Sequence, residues 1–168
     1  IVVGVSVARL RAARGRAETQ RLQAEQLADR LLGDLGTQAR AFGQVSMLRS
    51  MGDAVTAYYE PQAATALADV GVARRWSAAE GTVRAAAIEV DDLVAAEAAS
   101  SHEVTLARRA VALRPDAAAR ARLGDALAGV AALARRRGDP AAAQAALREC
   151  RDAVAPTDDD LTLDQWLR

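Results

Sequence analysis

Arg137-Gly138-Asp139-Pro140 punctuates the junction between two helices, and the fold is read outward from it. Glycine just past a helix end takes the left-handed conformation without a Cβ penalty. Aspartate then accepts hydrogen bonds from the free amides of the next helix, and proline at the first helical position gives up an amide that has no partner there anyway. Upstream, Leu123, Leu127, Val130 and Leu133 recur at helical spacing, back to Asp116, which follows Arg114-Pro115 and is placed to cap that helix. Downstream, Ala143, Leu147 and Cys150 continue the pattern to Pro156. The two segments predict a pair of antiparallel helices joined by a tight turn.

The rest of the chain reads in the same way. Residues 65–79 and 82–99 are separated by Glu80-Gly81, and Gly81 suits the left-handed position past a helix end, which predicts another hairpin. Ser100-Ser101-His102-Glu103 has the Ser-x-x-Glu spacing of a capping box, so a further helix is expected from there to Leu113. Val45, Leu48, Val55, Tyr58 and Tyr59 mark an earlier helix that Pro61 closes. Ala8 to Leu35 reads as one long helix with its weak point at Gly15. Leu10, Leu22, Leu27, Leu31 and Leu35 form its stripe, packed near Leu35 and solvated near the arginines. These readings divide the chain into a basic N-terminal helix or stalk, residues 1–35, and a helical-hairpin domain, residues 36–168.

Composition agrees with an all-α fold. Half of the 168 residues are hydrophobic, but aromatics make up only 3%, and Ala and Leu dominate where a sheet would need β-branched and aromatic strands. Net charge is zero, which leaves no global field for nucleic acid. The single cysteine, Cys150, excludes an internal disulfide. Ile1 to Val7, IVVGVSV, is apolar and is followed by Arg9, Arg11, Arg14 and Arg16, the reverse of a secretory signal. Seven residues are about a third of the roughly 20 that cross a bilayer, so this segment is expected to be the end of a transmembrane helix, with a frayed or buried helix start as the alternative. Membrane contact through Ile1–Val7 is the corresponding expectation, and the arginines favour the cytoplasmic face.

Gly81 and Gly138 stand 57 residues apart, not the roughly 34 of a tetratricopeptide repeat, so the array is expected to be irregular. Leu127, Val130, Ala131, Ala143, Leu147, Cys150 and Pro156 nevertheless fall near the large, small and terminating positions of that repeat. Leu31 to Pro61, LLGDLGTQARAFGQVSMLRSMGDAVTAYYEP, follows an Arg- and Glu-rich helix and precedes the Gly-Asp turns. This arrangement resembles the region after the transmembrane helix in large bacterial multidomain signalling and defence proteins. The matching residues are Leu31, Leu32, Gly33, Asp34, Leu35, Gly43, Leu48, Tyr58, Tyr59 and Gly138-Asp139, and the chain departs at Thr37 to Phe42 and in the first hairpin. The resemblance implies a tetratricopeptide-like array in a membrane-associated bacterial protein. Its effector would be a kinase, TIR, caspase-like or NTPase module, carried upstream in the same native chain. No catalytic residue transfers, and a kinase-type receptor would place the array outside the membrane, so sidedness stays open.

Chemistry-bearing residues are sparse. His102 is the only histidine and is read as part of a helix start, while Cys150 is read as a small buried residue. Asp158-Asp159-Asp160 is read as a solvated acidic run. Gly33, Gly36 and Gly43 are too widely spaced for a phosphate loop, and lysine is absent. No catalytic residue, cofactor or metal is therefore expected. Candidate partner-binding residues are Arg74, Arg75 and Trp76, where an aromatic anchor adjoins two guanidinium groups, Arg135 and Arg136 in a helix's last turn, and Trp166. Core placement of Trp76 is the competing reading. Trp166 belongs to a cluster with Leu161, Leu163 and Leu167 that caps the array or docks on a partner. The expected function is a non-catalytic protein-interaction scaffold or ligand-sensing domain. The alternative is an oligomerisation module driven by self-association of the long first helix.

Overall fold

A computed structural model describes residues 44–63 and 67–155, together with positions 15, 19, 20, 23, 26, 27 and 30, all of which are helical. Among the described residues the chain is all-helical. It contains α1 (Val45–Tyr59), a 3-10 turn (Glu60–Gln62), α2 (Val70–Glu89), α3 (Leu93–Leu113), α4 (Ala117–Arg136) and α5 (Pro140–Val154). Leu31 to Gly43 and the segment from Pro156 onward lie outside the described residues. Most of residues 8–35, expected to form one long helix, and Ile1–Val7 also lie outside them. Leu27, expected on the packed stripe, is instead 58% exposed. No described helix is long and apolar enough to cross a membrane.

Four consecutive helices begin at an aspartate. The side chain of Asp69 accepts from Gly71 and Val72, that of Asp92 from Ala95, that of Asp116 from Ala119 and that of Asp139 from Ala142, at 2.8–3.2 Å. Each bond satisfies an amide that the helix itself leaves unpaired. The Ala119 amide, helped by the Arg114 and Arg74 guanidinium groups, holds the Asp116 carboxyl below its ordinary value of 3.8. A depressed carboxyl stabilises the fold above its unfolded-state pKa, and this contribution is lost as pH falls through the folded value. An NMR titration should therefore find Asp116 ionising below 3.8, with the Ala119 amide signal moving in step. Titration at or above that value would show that the cap is open in solution.

The turn at Gly138 forms as its sequence predicts, with φ +75°. Gly138 N–H donates to Arg135 O and Asp139 N–H to Ala134 O, the paired bonds of a Schellman ending. An identical ending closes α2, with an aspartate in place of the glycine. Asp91 has φ +60°, its N–H donates to Ile88 O, and Asp92 N–H donates to Ala87 O. In both turns the aspartate that completes one helix end caps the next helix.

This second turn corrects two expectations. Helix α2 runs unbroken through Glu80-Gly81, so the hairpin split there does not form, and the chain turns at Val90–Asp92 instead. Ser100 and Glu103 lie in the middle of α3 and make no capping box. Both were misread because a glycine and a Ser-x-x-Glu spacing signal helix ends only when the backbone there is free to turn, and here both are held against a neighbouring helix. Aspartate tolerates the left-handed region better than most residues but less well than glycine. Asp91→Gly should therefore raise stability by ~0.5 kcal/mol in urea unfolding, the lost exposed Asp91–Arg136 pair offsetting part of the gain. A lower midpoint would mean that the ion pair outweighs the backbone strain.

With the turns in place, an internal repetition appears. Asp69 and Asp116, Asp91 and Gly138, and Asp92 and Asp139 are each 47 residues apart, with the same capping or left-handed role within each pair. Buried positions follow the same register: Trp76 and Leu123, Ala79 and Ala126, Ala87 and Ala134, Ala96 and Ala143, Ala99 and Ala146. Helices α2–α3 and α4–α5 are thus two turns of one pattern, without insertion or deletion between them.

Among the described residues more than half of the buried apolar side chains are alanines, so the helix axes lie close together. Ala87 and Ala96 cluster with Leu133, Ala73 meets Ala110 and Ala119, and Val104 and Ala107 meet Leu123, Ala126 and Leu127. Helix α1 covers the other side of α2 with Leu48, Val55 and Tyr59. On α5, Cys150 is half-buried, its thiol donating to Gly124 O at 3.2 Å.

Candidate functional site

Helix α3 carries Glu103 on its apolar stripe, between Ala99 and Ala107, and the side chain is fully buried. An ionised carboxylate in that position requires partners. Arg84 of α2 supplies one, its Nε donating to Oε2 at 2.8 Å, and Arg122 of α4 supplies the other through a terminal nitrogen to Oε1. The Nε of Arg122 donates to Ser77 Oγ at 3.1 Å, and that hydroxyl donates to the backbone carbonyl of Glu103 at 3.0 Å. Three helices are tied together at one carboxylate. Burial pushes the Glu103 carboxyl above the ordinary carboxylate range, and the Arg84 and Arg122 guanidinium groups pull against that shift.

Two mid-helix glycines make the room. A Cβ at Gly81 would overlap the Glu103 carboxylate, and a Cβ at Gly129 would overlap the Arg84 guanidinium. Glycine in a helix interior costs roughly 0.5–1 kcal/mol relative to alanine, and here that cost goes with space for an ion-paired cluster. The cluster floors a cleft of about 320 Å³ between α2, α3 and α4, walled by Ala78, Thr82 and Ala85, with Asp125 on its rim.

A second polar network lies one helical turn away, where α2 meets α1. The buried Glu80 Oε1 accepts from Thr56 Oγ1 at 2.9 Å and Trp76 Nε1 at 3.3 Å, and it contacts His102 Nδ1 at 2.9 Å. The carboxylate is central, and Thr56 and His102 each reach it separately. This order does not present a hydroxyl to an imidazole base, as nucleophilic catalysis would require. His102 belongs to this network within α3, not to a helix start. Among the described residues no group of three or more His, Cys, Asp or Glu could hold a metal ion.

The described residues among those expected to bind partners, Arg74, Arg75, Trp76, Arg135 and Arg136, lie in different surroundings. Trp76 is 3% exposed, stacked near Tyr59 with ring centroids 6.0 Å apart and edge-on to His102 at 5.1 Å, so it belongs to the core and not to a ligand patch. Arg75 Nε donates to Tyr59 OH at 3.3 Å, and Arg74 lies 3.8 Å from Asp116. Arg135 is exposed in the last turn of α4, Arg136 pairs with Asp91 at 3.2 Å, and Trp166 lies outside the described residues. Sequence reasoning missed Arg84, Arg122 and Glu103 as a cluster. The available signals were a charged residue on the Ala stripe of α3 and the two glycines inside otherwise strong helices.

No family model matches this chain, and neither does any curated protein or solved structure.

Proposed function

We propose that the chain is a non-catalytic scaffold, a short tetratricopeptide-like array of helical hairpins that holds a peptide segment of a partner protein. We place it in a larger bacterial membrane-associated signalling or defence protein, following the resemblance of Leu31–Pro61. Its step of 47 residues is longer than the roughly 34 of the tetratricopeptide repeat, and its helices are correspondingly longer. The observation that carries the reading is the open cleft across α2, α3 and α4, where two guanidinium groups and a buried carboxylate are fixed by three helices instead of being left on a mobile surface. A preformed polar cleft with small-residue walls suits an incoming main chain, because little ordering cost remains to be met on binding.

Selection of random 12-residue peptides displayed on phage against the folded chain tests this reading. Selected peptides should bind with micromolar affinity, displace NMR signals of Ala78, Thr82 and Ala85, and lose binding when Thr82→Trp fills the cleft. Peptides that map elsewhere, or none at all, would remove the scaffold reading. The second reading, self-pairing through the long first helix, draws on the exposure of Leu27. Light scattering decides it: a monomer at all concentrations excludes it.

A further inference from the structure

Resting on the scaffold reading, we infer that the cleft is selective for acidic peptides, with Arg84 receiving a carboxylate of the bound segment. Both oxygens of Glu103 are already taken, one by Arg84 Nε and one by Arg122. Arg122 also spends its Nε on Ser77 and lies 3.8 Å from Asp125, so its charge is answered on two sides. Arg84 spends only its Nε, and its two terminal nitrogens, with four N–H groups, have no acceptor among the described residues.

The environment of Arg84 sharpens the inference. Its side chain is only 15% exposed, lying flat over Gly129, yet it lines the cleft. A guanidinium held there is pre-oriented, and its planar fork matches the two oxygens of a carboxylate. Two positive groups face one buried negative group at the floor, and the negative charge that balances the second stands beside Arg122, not Arg84. Asp125, the other acid of the cleft, is 73% exposed at the rim and on the Arg122 side. Gly81 and Ala85 keep the approach to Arg84 free of bulk. An acidic side chain entering beside a main chain therefore meets donors, positive charge and space at one point.

The test uses the folded chain labelled with nitrogen-15, observing the arginine Nε–Hε signals while N-acetylglutamate α-amide is added, with N-acetylglutamine α-amide, which has no carboxylate, at equal ionic strength as the control. The expected result is a saturable displacement of the Arg84 signal by the glutamate compound alone. Followed at the Ala85 backbone amide, which every variant retains, binding should weaken roughly tenfold in Arg84→Lys, which keeps the charge but loses the fork, and vanish in Arg84→Gln. Equal response to both compounds, or no response in the folded protein, would overturn the inference. So would tighter binding of inorganic phosphate, which would assign the cleft to a different anion. Display-selected peptides separate this failure from failure of the scaffold reading. If they occupy the cleft but tolerate Glu→Gln and Asp→Asn replacement, the scaffold stands and the acidic selectivity falls.

Discussion

Glu103→Ala should destabilise the fold by ~3–5 kcal/mol, the largest effect expected of any single truncation in the chain. Glu103 is fully buried, and its removal leaves Arg84 and Arg122 facing each other across a cavity, each only 15–19% exposed. The loss combines an unfilled space with two guanidinium groups that have lost their shared acceptor. Thermal unfolding followed by circular dichroism should show a fall of roughly 10 °C or more. The complementary experiment replaces all three residues together, Glu103→Met with Arg84→Leu and Arg122→Met. An apolar trio of similar bulk should recover most of the loss, because a buried ion pair contributes little net stability over well-packed hydrophobic residues. That recovery would show the charged cluster to be dispensable for folding. If Glu103→Ala melts within a degree or two of the parent, the three-helix junction is not closed in solution.

Trp76→Ala ranks second, with an expected cost of ~3–5 kcal/mol. The indole is 3% exposed, packed against Tyr59, Val72 and Leu106, and its N–H is bonded to buried Glu80. Truncation removes the largest apolar side chain between α1 and α2 and takes one donor from a buried carboxylate. Arg74→Ala, two residues away, breaks only a half-exposed pair with Asp116 and should cost less than about 1 kcal/mol. Urea unfolding of the two variants side by side therefore separates a core tryptophan from a surface anchor. Similar small losses in both would return Trp76 to the surface.

Helices were legible where local chemistry alone decides the backbone. Asp116 and Arg137-Gly138-Asp139-Pro140 act within one turn of chain, so residue type and spacing were enough to place α4 and the turn after it. Val90-Asp91-Asp92 was illegible because the left-handed residue is an aspartate, and two consecutive acids more often read as a solvated helix face. Gly81 misled for a different reason. A glycine that ends a helix and a glycine that admits a carboxylate from a neighbouring helix look alike until the neighbour is known, and the neighbour lies 22 residues downstream at Glu103. The cluster was hidden for the same reason. Arg84, Glu103 and Arg122 come from three helices, and no spacing along one helix announces a meeting of three. The internal period was equally concealed, since its markers are caps and alanines, while the residues that attract notice, Trp76 and Leu123, differ in kind at equivalent positions.

The two tight turns carry a consequence for how such a chain can lengthen. In each, one aspartate both closes the outgoing helix and opens the incoming one, so a turn holds no spare residue. An insertion of one or two residues there would rotate every later helix about its own axis. A duplication of residues 70–116 would instead begin after one capping aspartate and end on another, delivering the chain to its old path in its old orientation. Growth by whole cassettes thus keeps every cap and turn in register where growth by single residues does not, and the copied Thr82 would then stand where Gly129 now makes room for Arg84.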